Sequence, residues 1–120
     1  MKNMKTFLCC IVFLAGLAGA PPPAEIKGYL LDKSCADEDG KKPGFAEKHQ
    51  KSCLLMKPCA QSGYGVMTES LKYIKFDKNG DAMAAKLIAG LKKNDDIKVN
   101  VTGEIQGEGD TIKVTKLTLQ

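Results

Sequence analysis

The chain contains no arginine and no tryptophan, and it has a single histidine, His49. Without arginine all 18 basic residues are lysine, so the planar fork that grips phosphate or carboxylate with two parallel hydrogen bonds is missing. The formal charge is +4, but Lys2 and Lys5 lie in an N-terminal segment that carries no acid. The other 16 lysines stand against 14 acids, a net of +2, which is too small a basic surplus for a dedicated nucleic-acid binder. One histidine limits any His-centred triad to a single base. Beyond residue 20 no apolar run approaches the roughly 20 residues that a membrane-spanning helix needs. A charged share of 27% and a hydrophobic share of 43% exclude wholesale disorder, and 120 residues suit one domain.

The first twenty residues read as an export signal. Lys2 and Lys5 supply a positive start, Thr6 to Ala15 runs apolar without a charge, and Gly16, Ala18, Gly19 and Ala20 supply small residues. That order is the pattern of a secretory signal peptide. The expected cleavage falls between Ala18 and Ala20 and removes Cys9 and Cys10. Neither cysteine follows a Leu-small-small lipoprotein pattern, so no membrane anchor is expected after cleavage, and a periplasmic or secreted location follows. Residues 21–24 form a Pro-rich spacer, because Pro21-Pro22-Pro23 can enter neither a helix nor a central strand.

The mature domain, residues 25–120, is expected to be mainly β. Glu25 to Asp32 reads as a first strand with Ile26, Gly28 and Leu30 on one face. Residues 33–62 form an irregular, charged insert, helical around Phe45 to Lys57 and stopped by Pro58. Gly63 to Thr68 and Leu71 to Asp77 read as two strands joined tightly at Glu69-Ser70. Asn79-Gly80 is a turn signal, and Asp81 suits the N-cap of a helix over 82–91, with Ala84, Leu87, Ile88 and Leu91 on one stripe. Ile97, Val99, Val101 and Ile105 alternate with polar residues in a fourth strand. In the last strand, residues 111–119, the apolar phase shifts between Val114 and Leu117, which predicts a bulge or a change of exposed face.

Five strands with one helix between the third and fourth is the order of the OB-fold, a small, partly open Greek-key barrel. The run Val101-Thr-Gly-Glu-Ile-Gln-Gly-Glu-Gly-Asp-Thr-Ile-Lys-Val114, with the helix before it, resembles the small exported bacterial OB-fold proteins. The resemblance spans most of residues 25–119. It implies a periplasmic binding or stress-related role without a catalytic centre. The chain departs from their short forms by the insert 33–62. Gly28 to Ala36, together with Ser62 to Gly65, also resembles uncharacterised exported proteins that share a Cys-His-Cys-Cys spacing.

The chemistry-bearing residues concentrate in the insert. Cys35, His49, Cys53 and Cys59 follow the spacing Cys-x13-His-x3-Cys-x5-Cys and are all the cysteines and histidines beyond the leader. On a continuous helix His49 and Cys53 would share a face at i and i+4, with Met56 continuing it. Imidazole and thiolates together suit Zn(II) or Cu(I), and four such groups would close a tetrahedral site. The competing reading is a disulfide. An oxidising compartment favours one, and closing a loop of about 20 residues contributes roughly 2–4 kcal/mol. Three cysteines leave one thiol over, and the pairing stays open among Cys35–Cys53, Cys35–Cys59 and Cys53–Cys59. Under this reading His49 is dispensable to stability. A third reading, a Cys53 thiolate activated by His49, lacks a Cys-x-x-Cys motif and a visible oxyanion donor.

Two further signals fall away. Asp77-Lys-Asn-Gly-Asp81 opens like an EF-hand loop, but Ala82 and Ile88 occupy the positions that require Gly and Glu. Tyr29, Tyr64 and Tyr73 could stack bases, yet without arginine they read as packing aromatics. The sequence therefore points to an exported, non-enzymatic binding module that takes a metal or small ligand at the insert. The alternative is a disulfide-stabilised structural protein that interacts with an unknown envelope partner.

Overall fold

The computed structural model describes residues 22–120; residues 1–21, on which the expected export signal falls, lie outside the described residues. Five strands form a closed ring of hydrogen bonds in the order β1-β2-β3-β5-β4. They are β1 (Ala24–Asp32), β2 (Tyr64–Met67), β3 (Tyr73–Phe76), β4 (Lys98–Gln106) and β5 (Thr111–Leu119). Four short helices, α1 (Lys33–Asp39), α2 (Phe45–Lys48), α3 (Lys51–Leu55) and α4 (Lys57–Ser62), fill residues 33–62 between β1 and β2. The fifth, α5 (Lys78–Ala89), links β3 to β4. Helix and strand content are about equal, so the expectation of a mainly β chain is corrected: most of the insert is helical. The expected partial opening is corrected as well, because β3 and β5 close the ring through a short parallel seam, Lys75 opposite Thr111 and Phe76 opposite Ile112.

β1 is the strand that bends the ring. Its residues 24–29 pair with β4 and its residues 29–32 pair with β2. At the crossover stands Gly28, where an added Cβ would run into the Met67 carbonyl. A side chain there would push two strands apart, so the absence of one permits the tight turn of the wall.

The interior is filled by Leu30, Val66, Ile74, Phe76, Val99, Val101, Ile112 and Val114; α5 seals it with Ala84 and Ile88, and Leu91 just beyond the helix joins them. Ile97, Val99 and Val101 of the expected apolar alternation are buried, whereas Ile105 beyond Gly103 is exposed. The phase shift in β5 is a bulge: Thr102 pairs with Lys116 and Gly103 with Val114, leaving Thr115 as the extra residue.

Helix α5 begins earlier than its sequence suggests. Asp77 is the N-cap, its side chain accepting from the Gly80 N–H at 2.9 Å and from the Val114 N–H at 3.1 Å. Asn79-Gly80 thus lies in the first turn of the helix. Asp81 reaches across to accept from the Tyr64 N–H at 2.8 Å and from Lys75. A cap that also ties down β5 satisfies two backbone donors with one carboxylate oxygen, which favours Asp77 over Asp81.

The single helix expected over Phe45 to Lys57 is three pieces. His49 and Gln50 are extended, and so is Met56. Pro58 stands in the first turn of α4 and starts that helix, where a missing N–H leaves no bond unmade.

Candidate metal centre

The centre is built from the closing of the insert upon itself. The Lys33 N–H donates to the Gly63 carbonyl at 2.9 Å, and the Ser34 N–H donates to Ser62 Oγ at 3.1 Å. Ser62 Oγ in turn donates to the Cys59 carbonyl at 2.6 Å. These bonds hold the start of α1 against the end of α4, and so they bring Cys35 and Cys59 together across 24 positions of sequence.

Asp32 is the third member. It ends β1 and caps α1, with Oδ2 accepting from the Cys35 N–H at 2.9 Å. This is ordinary capping geometry, in which a short carboxylate satisfies one of the four free donors of a helix start. Its burial is not ordinary, since Asp32 has no exposed surface. Its other oxygen, Oδ1, lies 2.9 Å from His49 Nε2. An ionised carboxylate only accepts, so Nε2 carries the hydrogen in this pair. One ligand atom each from Asp32, Cys35 and Cys59 lie within 4.8 Å of one another.

The electrostatics of the three groups oppose one another. Burial raises the Asp32 carboxyl, but the hydrogen bonds from His49 and from the Cys35 N–H outweigh it, and it sits below its ordinary value of 3.8. Burial, then the adjacent Asp32 carboxylate, pushes the Cys35 thiol up to about 12. The same two causes raise the Cys59 thiol above its ordinary 9.0. The carboxylate therefore holds the negative charge, and burial together with that charge favours the protonated form of both thiols. A cation at the centre would reverse that balance by favouring all three anions at once.

The four residues singled out in the sequence are divided by the fold. Cys35 and Cys59 meet. His49 stands behind Asp32, its side chain 4% exposed, and its ring packs 5.2 Å from that of Phe45. Cys53 is half-buried on α3 and lines a shallow pocket with His49, Phe45, Lys48 and Gln50. The extended residues His49 and Gln50 break the helical register that would have put His49 and Cys53 on one face. No two of the three cysteines are bonded to each other.

Asp32 is the residue that sequence reasoning missed. Its position, one residue before a helix and three before Cys35, reads as a cap. Its complete burial comes from the insert folding over the end of β1.

No protein family, curated protein or solved structure matches this chain. The chemistry must be read from the residues alone. Two thiols, one carboxylate and a histidine holding that carboxylate form a mixed sulfur–oxygen set. Zinc accepts such a set, whereas Cu(I) prefers sulfur throughout. Ligands around a tetrahedral zinc lie roughly 3.5 Å apart, so contraction from the observed limit is within the swing of a cysteine side chain.

The surroundings are tied together by hydrogen bonds. Leu54 of α3 is fully buried, and the Tyr64 hydroxyl donates to its carbonyl at 2.8 Å. Tyr73 donates to the Leu31 carbonyl at 3.0 Å. The Lys51 N–H donates to the Asn94 carbonyl at 2.7 Å, and the Asp96 N–H donates to the Glu47 carbonyl at 2.8 Å, so α2 and α3 are pinned to the loop before β4. No helix among the described residues is long and apolar enough to cross a membrane.

Proposed function

We propose that the chain is an exported, non-enzymatic binding module, an OB-like barrel whose helical insert holds one zinc ion on Asp32, Cys35 and Cys59. The observation that carries this reading is the convergence of two thiols on a fully buried carboxylate, all three ligand atoms within 4.8 Å. The strand order β1-β2-β3-β5-β4, with α5 between β3 and β4, supports the OB-like description. His49 acts from behind, orienting the carboxylate as outer partners of metal ligands do. Three protein ligands leave a fourth position for an outside donor, and Cys35 is the ligand of the three that is only half-buried. The export expectation adds the compartment, periplasmic or secreted.

The test is metal stoichiometry. Protein reduced, dialysed against zinc and freed of excess should carry one zinc per chain by elemental analysis. Absence of bound zinc in the fully reduced protein contradicts the reading.

A further inference from the structure

We infer that Cys35 and Cys59 are also the disulfide pair of this chain, so that bridge and metal are alternative states of one sulfur pair and oxidation empties the zinc site. The gating half of this inference rests on the zinc reading; the pairing does not. Sequence left three pairings open, and the fold separates them. The Cys35 and Cys59 sulfurs lie within 4.8 Å of each other. Their helices are fastened at both approaches, α1 to Gly63 and Ser62, and Ser62 to the Cys59 carbonyl. Cys53 sits on α3, a separate helix whose Leu54 is locked in the core, and it opens instead to the pocket beside His49. The Cys53 sulfur is not part of the group of ligand atoms that lie within 4.8 Å of one another.

The oxidant is a small or protein-borne disulfide of the kind an oxidising compartment supplies. A thiolate formed at Cys35 or Cys59 attacks one sulfur of the oxidant, breaking its S–S bond and releasing one thiol. The second cysteine then displaces the mixed disulfide. The chain loses two protons and two electrons, and the oxidant leaves as two thiols. Once bridged, the two sulfurs have no thiolate to offer a metal. Asp32 alone then remains of the ligand set, with His49 still on it.

The experiment uses the full chain carrying Cys9→Ser and Cys10→Ser, so that three thiols remain. Metal-free reduced protein is exposed to oxidised glutathione, free thiols are alkylated, and digested peptides are mapped by mass spectrometry. Zinc is titrated in parallel into reduced, oxidised and re-reduced samples. The expected result is a Cys35–Cys59 linked peptide, alkylation at Cys53 alone, and zinc stoichiometry passing from one to zero and back. Cys53→Ser should bridge as readily and leave no free thiol. Linked peptides containing Cys53, or full zinc binding by the bridged protein, would overturn the inference. A Cys35–Cys59 bridge in a protein that takes no zinc when reduced would remove the metal reading, and the gating with it, while the pairing stands.

Discussion

His49 Nε2 donates to Asp32 Oδ1 at 2.9 Å, and the two side chains are 4% and 0% exposed. Removing either leaves the other buried without its partner, a loss of about 1–3 kcal/mol for a neutral group and more for a charged one. Asp32→Ala also removes the cap of α1, worth about 1 kcal/mol. Both His49→Ala and Asp32→Ala should therefore lower the stability of the reduced, metal-free protein by roughly 2–4 kcal/mol in urea titrations. The double variant should lose less than the sum of the two. The expectation that His49 is dispensable gives way to this pair. Unchanged stability in His49→Ala would show that the hydrogen bond contributes nothing.

The same carboxylate sets the acid limit of the fold. Asp32 titrates below its ordinary 3.8 in the folded chain. As pH falls, the unfolded chain takes up a proton at this residue first. The stability from this group is complete well above 3.8 and is lost as pH drops through that value toward the lower folded pKa. Asp32→Asn should flatten this part of a stability–pH curve measured between about pH 5 and about pH 2. An unaltered acid limb would place the acid sensitivity elsewhere.

Cys35 sets a limit at the other end. Its thiol ionises near 12 in the fold and near 9.0 when unfolded. Above pH 9 the unfolded chain loses that proton first, so the reduced, metal-free protein should become steadily less stable from there upward. Zinc, which holds the thiolate in the folded state, should lessen this decline, and Cys35→Ser should remove the share that Cys35 contributes, leaving that of Cys59 and the raised tyrosines. A thermal-melt series with and without zinc reads the difference. An identical decline in both would count against Cys35 as a ligand.

What the sequence revealed and what it concealed divide along a physical line. The barrel strands were legible because alternation and turn chemistry are local: Ile97, Val99 and Val101 face the core, and the bulge at Thr115 follows the phase shift between Val114 and Leu117. The start of α5 was misplaced because Asp77 and Asp81 are both good caps by type. Only the Val114 N–H, distant in sequence, decides between them. Phe45 to Lys57 reads as one helix because nothing local marks His49 and Gln50 as extended. Asp32 was hidden for the same reason, since its burial depends on segments that return from 30 residues away. Cys35 and Cys59 were candidates by residue type, but their meeting depends on Ser62 and Gly63 closing the insert.

The core gives a sharp contrast. Val101 is fully buried and Lys98 is exposed, its ammonium 5.6 Å above the Tyr29 ring. Val101→Asp should bury an unpaired charge and lose several kcal/mol, comparable with the whole stability of a small domain. Lys98→Asp should lose about 1 kcal/mol or less, including the cation–ring contact. Equal losses in urea would reverse the assignment of the strand's faces.

Gly28 tests the closure of the ring. A side chain there meets the Met67 carbonyl and Val66 across the crossover of β1. Gly28→Val should destabilise by roughly 2–3 kcal/mol, as overpacking of a tight site does. Gly90→Ala is the control, because an added Cβ there meets nothing closer than 3.8 Å. Tolerance of valine at 28 would mean that the strand has room to shift.

The most direct test of the zinc centre compares two cysteines that the sequence treats alike. Reduced protein is titrated with zinc against a chromophoric chelator, first as the parent and then as Cys59→Ser and Cys53→Ser. The convergence of Asp32, Cys35 and Cys59 predicts that Cys59→Ser loses affinity at least tenfold. Cys53→Ser should bind zinc as the parent does. Equal loss in both variants would contradict the account and restore the four-residue set of Cys35, His49, Cys53 and Cys59.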